Sequence, residues 1–248
     1  MSQGSVIGEE IARFDALAAE WWDPHGPMRP LHMMNPPRAA WVAERVRRRL
    51  GAGVAVLDVG CGAGLLAEAL AREGFAVTGL DAGAEVIAAA RAHADGQGLD
   101  LTYRQGTAEA LAAEGAKFPV VTALEIIEHV ADPAAFLVSL KALLAPGGLL
   151  FLSTLNRTPK SYAVAKLGAE YMLRLLPVGT HDWKRFITPV ELGGAVPGGG
   201  VASGGHGGAL LFAAGAGFQG EPGFVGELYR HGRGGLRRAR CRMISRRS

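Results

Sequence analysis

Cysteine is nearly absent from this chain of 248 residues, which has only Cys61 and Cys241. Two thiols, one inside a glycine loop, exclude a disulfide framework and fit a reducing cytosol. Cys61 itself reads as a small buried filler. No apolar run approaches the roughly 18 residues of a membrane span. The opening MSQGSVIGEE lacks the charged-then-apolar order of a signal peptide. Charged residues are 20% and aromatics 7% of the chain, against 49% apolar residues, a balance that suits an α/β core. The length allows one domain, or one domain with an appendage. Acids are scarce in one region: residues 193–248 hold eight arginines and two acids, a net +6, leaving −3 on residues 1–192. The overall +3 therefore belongs to the tail, and nucleic-acid binding is not read from it.

What is present is a glycine loop in an informative place. VLDVGCGAG, residues 56–64, runs from a β-branched apolar segment into glycines at alternate positions, Gly60, Gly62 and Gly64. Residues 54–59 read as a buried parallel strand and 65–73 as the helix that follows. A second apolar strand, 76–81, ends in Asp81, where a carboxylate can accept both hydroxyls of a ribose. In open α/β sheets ligands sit outside the carboxyl ends of the strands. Glycine permits positive φ and lets a ligand approach the backbone. A dinucleotide site wants a small third residue in G-x-G-x-x-G/A, and that position holds Leu65, which counts against a pyrophosphate ligand. G-x-G-x-G preceded by Asp58 instead resembles the first motif of class I S-adenosylmethionine-dependent methyltransferases. The plain alternative is a glycine-rich turn with no ligand.

Periodicity extends the alternation. Helices are expected over 7–22, 37–50, 84–94 and 133–144, with a Pro- and Met-rich loop at 23–37. Further strands are expected at 101–104, 119–123 and 149–154. Strands alternating with helices give an α/β doubly wound, mostly parallel sheet. Residues 156–186 form an inserted helical segment in which aromatic and apolar side chains alternate with Lys160, Lys166, Arg174, Lys184 and Arg185. That mixture suits a helix lying in a membrane interface, or a lid over the active site. Thr188-Pro189-Val190-Glu191 is a helix-start signal with no helix after it. From residue 193 on, 17 of 56 residues are glycine and no period holds, so residues 193–248 read as a disordered tail behind a domain of residues 1–192.

A second cluster follows the fourth strand in ALEIIEHVADP. Glu125, Glu128 and His129 stand at i, i+3 and i+4, where they can converge on one hard cation. The alternatives are a capping cluster, or His129 as the general base that takes a phenolic proton.

IARFDALAAEWWD, PLHMMNPPR, VLDVGCGAGLLAEALAREG, VTGLD, ALEIIEHVADP, LAPGGLLFLSTLNRTPKSY, GAEYMLRLLPVGTHDWKRFI and TPVEL carry a wider resemblance. Over residues 7–192 the chain resembles the ubiquinone-biosynthesis O-methyltransferases, a class I methyltransferase family with a Rossmann-like fold. The resemblance implies that Arg38, Gly60, Asp81 and Leu124 line an S-adenosylmethionine pocket, with Arg38 on the methionine carboxylate. It implies Mg²⁺ on Glu125, Glu128 and His129, with Glu128 and His129 in the catalytic role. It further implies methyl transfer to a phenolic hydroxyl of a polyprenyl phenol or quinol, a cytoplasmic protein peripheral on the inner membrane face through residues 160–186, and a place in a ubiquinone-biosynthesis complex. Alternatives are a same-fold methyltransferase acting on another small molecule and an inactive cofactor-binding remnant. The family ends in two strands that complete the sheet, and none is legible here. The tail reads like an out-of-frame translation of a GC-rich gene: codons for residues 226–232, GELYRHG, can be chosen so that the frame one base on gives V-N-Y-I-A-M. The expectation is therefore a sheet whose C-terminal strands are missing or replaced, with its fifth strand left as an exposed apolar edge.

Overall fold

A computed structural model of the chain describes residues 6–155, 199–206 and 209–216. Two helices precede the sheet: α1 (Gly8–Asp15) and the long α2 (Arg29–Leu50). The alternation follows as β1 (Ala55–Val59), α3 (Leu65–Arg72), β2 (Ala76–Asp81), α4 (Ala84–Ala94), β3 (Leu101–Gln105), α5 (Ala108–Ala113), β4 (Phe118–Leu124), α6 (Pro133–Leu143) and β5 (Leu144–Leu155). The strand order is β3-β2-β1-β4-β5, all parallel. The order reverses between β1 and β4, so the ligand crevice is expected above their carboxyl ends.

The period of two along each strand divides the core into two layers. Val56, Val120 and Phe151 face α2, α3 and α4, packing with Val42, Leu70 and Ile87. Their neighbours Leu57, Val121 and Leu150 face α5 and α6, packing with Leu111, Phe136 and Leu140. Burying one such side chain contributes about 1.5–3 kcal/mol, so the two layers hold the ends of β1 and β4 in fixed register.

Several elements differ from the sequence expectations, beginning with the helix expected over 7–22, which ends at Asp15 and is followed by a 3₁₀ turn, Ala18–Glu20. The segment 29–36, expected as loop, is the start of α2, with Pro36 and Pro37 inside the helix. An interior proline costs about 3 kcal/mol. Here tertiary contacts offset it: Asn35 is buried and donates from Nδ2 to the Leu65 carbonyl at 2.7 Å, and Ala39, Val42, Ala43 and Val46 are buried on the same helix. The short α5, which no pattern announced, is capped by Thr107 Oγ1 accepting from the Ala110 amide at 3.2 Å. Two strands also stand in the glycine-rich tail: β6 (Gly199–His206) and β7 (Ala209–Ala216), extending the sheet as β5-β7-β6, both pairings antiparallel. The expected bare edge of β5 is thus covered from Leu150 to Leu155. An open edge offers backbone donors and acceptors to any extended segment, whatever its side chains, and that is why composition did not announce these strands. The insertion 156–186, the helix-start signal at 188–191 and the stretch 217–248 lie outside the described residues. Among the described residues no helix is long and apolar enough to cross a membrane.

Candidate active site

The glycine loop leaves β1 with Gly60, Gly62 and Gly64 at φ of +70°, +53° and +93°. The amides of Gly60 and Cys61 both donate to the Leu80 carbonyl, at 2.8 and 3.2 Å, which pins the loop against the end of β2. The glycines serve different neighbours. A Cβ on Gly62 would lie 2.3 Å from Trp21 Cζ2, and one on Gly64 1.9 Å from the Tyr103 hydroxyl. Two of the three glycines therefore make room for the protein's own aromatic rings. Only Gly60 lines the cleft beside the loop, beneath Ile126.

That cleft is open to solvent, with a cavity volume of about 80 Å³. It brings together Gly60, Asp81 and His129, with Gly106, Thr107 and Ala108 after β3 and Glu10, Ile11 and Phe14 of α1. Asp81 Oδ2 accepts from the Gly62 amide and Oδ1 from the Gly83 amide, both at 2.9 Å. Burial raises the pKa of its carboxyl, and those two backbone donors oppose the rise. Each carboxylate oxygen keeps a further acceptor site for a hydroxyl donor.

A second polar cluster stands at the ends of β1 and β4. Arg38 Nη1 of α2 lies 4.0 Å from Glu125 Oε1, and both side chains are largely buried. Burial lowers the Arg38 pKa, with Glu125 and Asp58 opposing. Asp58 is buried in β1 and accepts from Thr122 Oγ1 at 2.6 Å. Burial pushes its pKa up to about 7, against the Thr122 bond and the Arg38 charge. Arg38 Nε is buried without a partner. An orphaned guanidinium donor is costly, and a ligand carboxylate would satisfy it. Glu125 has φ +56°, the one positive φ outside glycine among the described residues. Its amide donates to Ser153 Oγ at 2.9 Å while that hydroxyl donates back to Glu125 Oε1 at 2.8 Å. Such a conformation costs roughly 1–3 kcal/mol and persists where neighbours over-determine it. Leu124, just before it, is buried at the end of β4.

The segment 34–195 matches the family model of a methyltransferase domain. The ubiquinone biosynthesis O-methyltransferase of Dinoroseobacter shibae is 51% identical over 197 residues, 76% of this chain and 79% of its own. That of Caulobacter vibrioides is 54% identical over 198 residues, again 76% and 79%. The chain belongs to the ubiquinone biosynthesis O-methyltransferase family. Among solved structures, the magnesium protoporphyrin IX methyltransferase of Synechocystis PCC 6803, with SAH bound, has a TM-score of 0.61 at 21% identity, covering 84% of this chain and 95% of that one. A plantazolicin methyltransferase, also with SAH bound, has a TM-score of 0.58 at 14% identity, covering 84% and 98%. At those identities the likeness speaks for the shared methyltransferase fold.

Of the expected metal triad of this methyltransferase, Glu125 and His129 have described side chains, and they take different partners. Glu125 turns to Arg38 and Ser153. His129 Nδ1 instead lies 2.9 Å from Glu10 Oε2, on α1. The Glu128 side chain lies outside the described residues. Among the described residues no group of three His, Cys, Asp or Glu side chains could hold a metal ion. Spacing i, i+3, i+4 presumes a helix, and the segment is a single 3₁₀ turn, Ile127–His129, that starts after the left-handed Glu125. Sequence reading missed Glu10 and Phe14, 119 and 115 positions before His129, although Phe14 stands in the block IARFDALAAEWWD and Glu10 immediately precedes it. Their i, i+4 spacing on one helical face was the available signal.

Proposed function

We propose that this methyltransferase transfers the methyl group of S-adenosylmethionine to a phenolic hydroxyl of a polyprenylated quinone precursor in ubiquinone synthesis. The observation that carries the site assignment is the single cleft shared by Gly60, Asp81 and His129. The buried, unsatisfied Arg38 Nε fits the methionine carboxylate, and Asp81 fits the ribose hydroxyls. When bound, S-adenosylmethionine supplies a sulfonium methyl, which passes to the phenolic oxygen as the carbon–sulfur bond breaks and sulfur keeps the electron pair. Asp81 orients the cofactor end of the cleft through its own bonds to Gly62 and Gly83. The Gly60, Cys61, Gly62 and Gly64 amides are already paired, so little reorganisation of them accompanies the reaction. His129 takes the phenolic proton, and Ile126 and Phe136 line the same cleft.

The carrying assay is twofold. Calorimetry with S-adenosylhomocysteine is expected to show binding that weakens at least about 100-fold in Asp81→Ala, the loss of two hydrogen bonds to a charged group at roughly 1.5–3 kcal/mol each. Mass spectrometry should then show a methyl ether on a prenylated catechol. Binding by the variant equal to that of the unaltered chain, or methylation of carbon or nitrogen alone, overturns the reading. On composition, we further place residues 160–186 at the inner membrane surface, where a prenylated substrate resides, and the protein in the cytoplasm beside other enzymes of the same pathway. Co-purification from membranes that fails for every such enzyme removes that last assignment.

A further inference from the structure

We infer that Trp22 is a positioning residue for the cofactor: braced by His93 and the buried Glu68, it holds the glycine loop so that Gly62, and through it Asp81, stands in place before the cofactor arrives. The inference rests on the reading that Asp81 binds S-adenosylmethionine. Glu68 of α3 is fully buried, where a carboxylate needs partners. Its Oε2 accepts from Arg72 Nη2 at 2.6 Å, and its Oε1 lies 2.7 Å from His93 Nδ1 of α4. A carboxylate can only accept, so Nδ1 donates. Gln97 spans the same corner, with Oε1 on Arg72 Nη2 and Nε2 3.3 Å from His93 Nδ1. The Trp22 indole lies flat on the imidazole so held, with ring centroids 3.4 Å apart and planes at 3°. His32 of α2 stands edge-on to the same indole, at 6.1 Å and 74°.

The polar end of that indole reaches the glycine loop. Trp22 Nε1 donates to the Ala63 carbonyl at 3.0 Å, across 41 positions of sequence. Ala63 is fully buried, and an unpaired carbonyl there would be costly. The preceding ring, Trp21, lies against Gly62, and His32 Nε2 donates to the Trp21 carbonyl at 2.9 Å. Two consecutive indoles thus seat on two consecutive loop residues. The Gly62 amide is the group that donates to Asp81 Oδ2. Three glycines of the loop stand at positive φ, and glycine loses more conformational freedom on ordering than any other residue. In a braced loop that cost falls on folding rather than on cofactor binding, and a preorganised site binds more tightly. Trp21, Trp22, His93 and Glu68 are not among the residues that line the cleft, so the brace acts through the loop rather than on the ligand.

Trp22→Phe keeps a flat ring on His93 and gives up the N–H to Ala63. Calorimetry on the full chain is expected to show S-adenosylhomocysteine bound about 3- to 10-fold more weakly, the worth of one hydrogen bond. In steady-state methylation of a prenylated catechol, KM for S-adenosylmethionine should rise by the same factor while kcat at saturating cofactor is kept. A role confined to stability would lower the folded fraction, and so kcat, and would leave KM alone. His93→Gln, which keeps a donor for Glu68 and loses the stacked ring, should raise the same KM. Because Trp22 acts through Gly62 and Asp81, Trp22→Phe should cost about 2-fold or less in an Asp81→Ala background, the mark of coupled sites. Unchanged affinity and KM in Trp22→Phe or in His93→Gln, a fall in kcat alone, or the full factor in the Asp81→Ala background overturns the inference. If the unaltered chain, folded by circular dichroism, binds no S-adenosylhomocysteine, the cofactor reading itself fails. Binding by the unaltered chain beside equal binding by Trp22→Phe sinks the inference alone.

Discussion

Asp58 offers a measurable signature of the buried cluster. Its carboxyl has a pKa pushed from 3.8 to about 7 by burial. Between about pH 4 and pH 7 the folded chain therefore holds a proton there that the unfolded chain has released. With more protons bound when folded, stability falls as pH rises through that window. A displacement of about three units at 1.36 kcal/mol each gives roughly 4 kcal/mol lost between pH 4 and pH 7, as an upper figure. Set against a typical domain stability of about 5–15 kcal/mol, that is a large fraction. Asp58→Asn keeps an oxygen to accept from Thr122 Oγ1, a bond of 2.6 Å in the parent, and removes the ionisation. Urea unfolding followed by circular dichroism at pH 5, 6, 7 and 8 measures both chains. Near pH 5 only about 1.6 kcal/mol of that loss is in place, so the gap between the two chains should be at its smallest there. By pH 8 the variant should be the more stable by about 2–4 kcal/mol, less whatever Arg38 loses with its partner. Parallel stability curves for the two chains across the whole range would refute the reasoning, because then no proton is held at Asp58 on folding.

Gly62→Ala places a Cβ at φ +53° and 2.3 Å from the buried Trp21 ring. The left-handed conformation costs roughly 1–2 kcal/mol, and moving the ring should raise the total to about 3 kcal/mol or more; urea unfolding that matches the parent would contradict it. For the insertion, Lys184→Glu with Arg185→Glu should weaken binding to anionic vesicles at least about 10-fold, near 1 kcal/mol per cation removed. Sedimentation with vesicles equal to the parent's removes the membrane assignment.

The glycine loop was legible because it is local: strand, turn and helix are set by neighbouring residues, and Asp81 closes the next strand. That the sheet is mostly parallel followed from the alternation of strands and helices, whereas the strand order came from the structure. The reason for Gly62 and Gly64 was not legible, since Trp21 and Tyr103 reach them from distant segments. Nor was the run of α2 through Pro36 and Pro37, where propensity predicts a break and the buried Asn35 and Val42 decide otherwise. Strands β6 and β7 carry no β signal of their own, and the edge of β5 supplies their pattern of hydrogen bonds.

The sequence by itself determined the methyltransferase fold, the family, and the positions of Gly60 and Asp81, because each of these is written in short contiguous blocks with fixed spacing. Only the tertiary structure decided the partners of the chemically active groups. Arg38 meets Glu125 and Asp58, and His129 meets Glu10, across separations of 20 to 119 residues. Spacing along the chain fixes a direction only within a helix or strand. At Glu125 the backbone turns left-handed, and from there the approach of α1 and α2 sets which side chains meet.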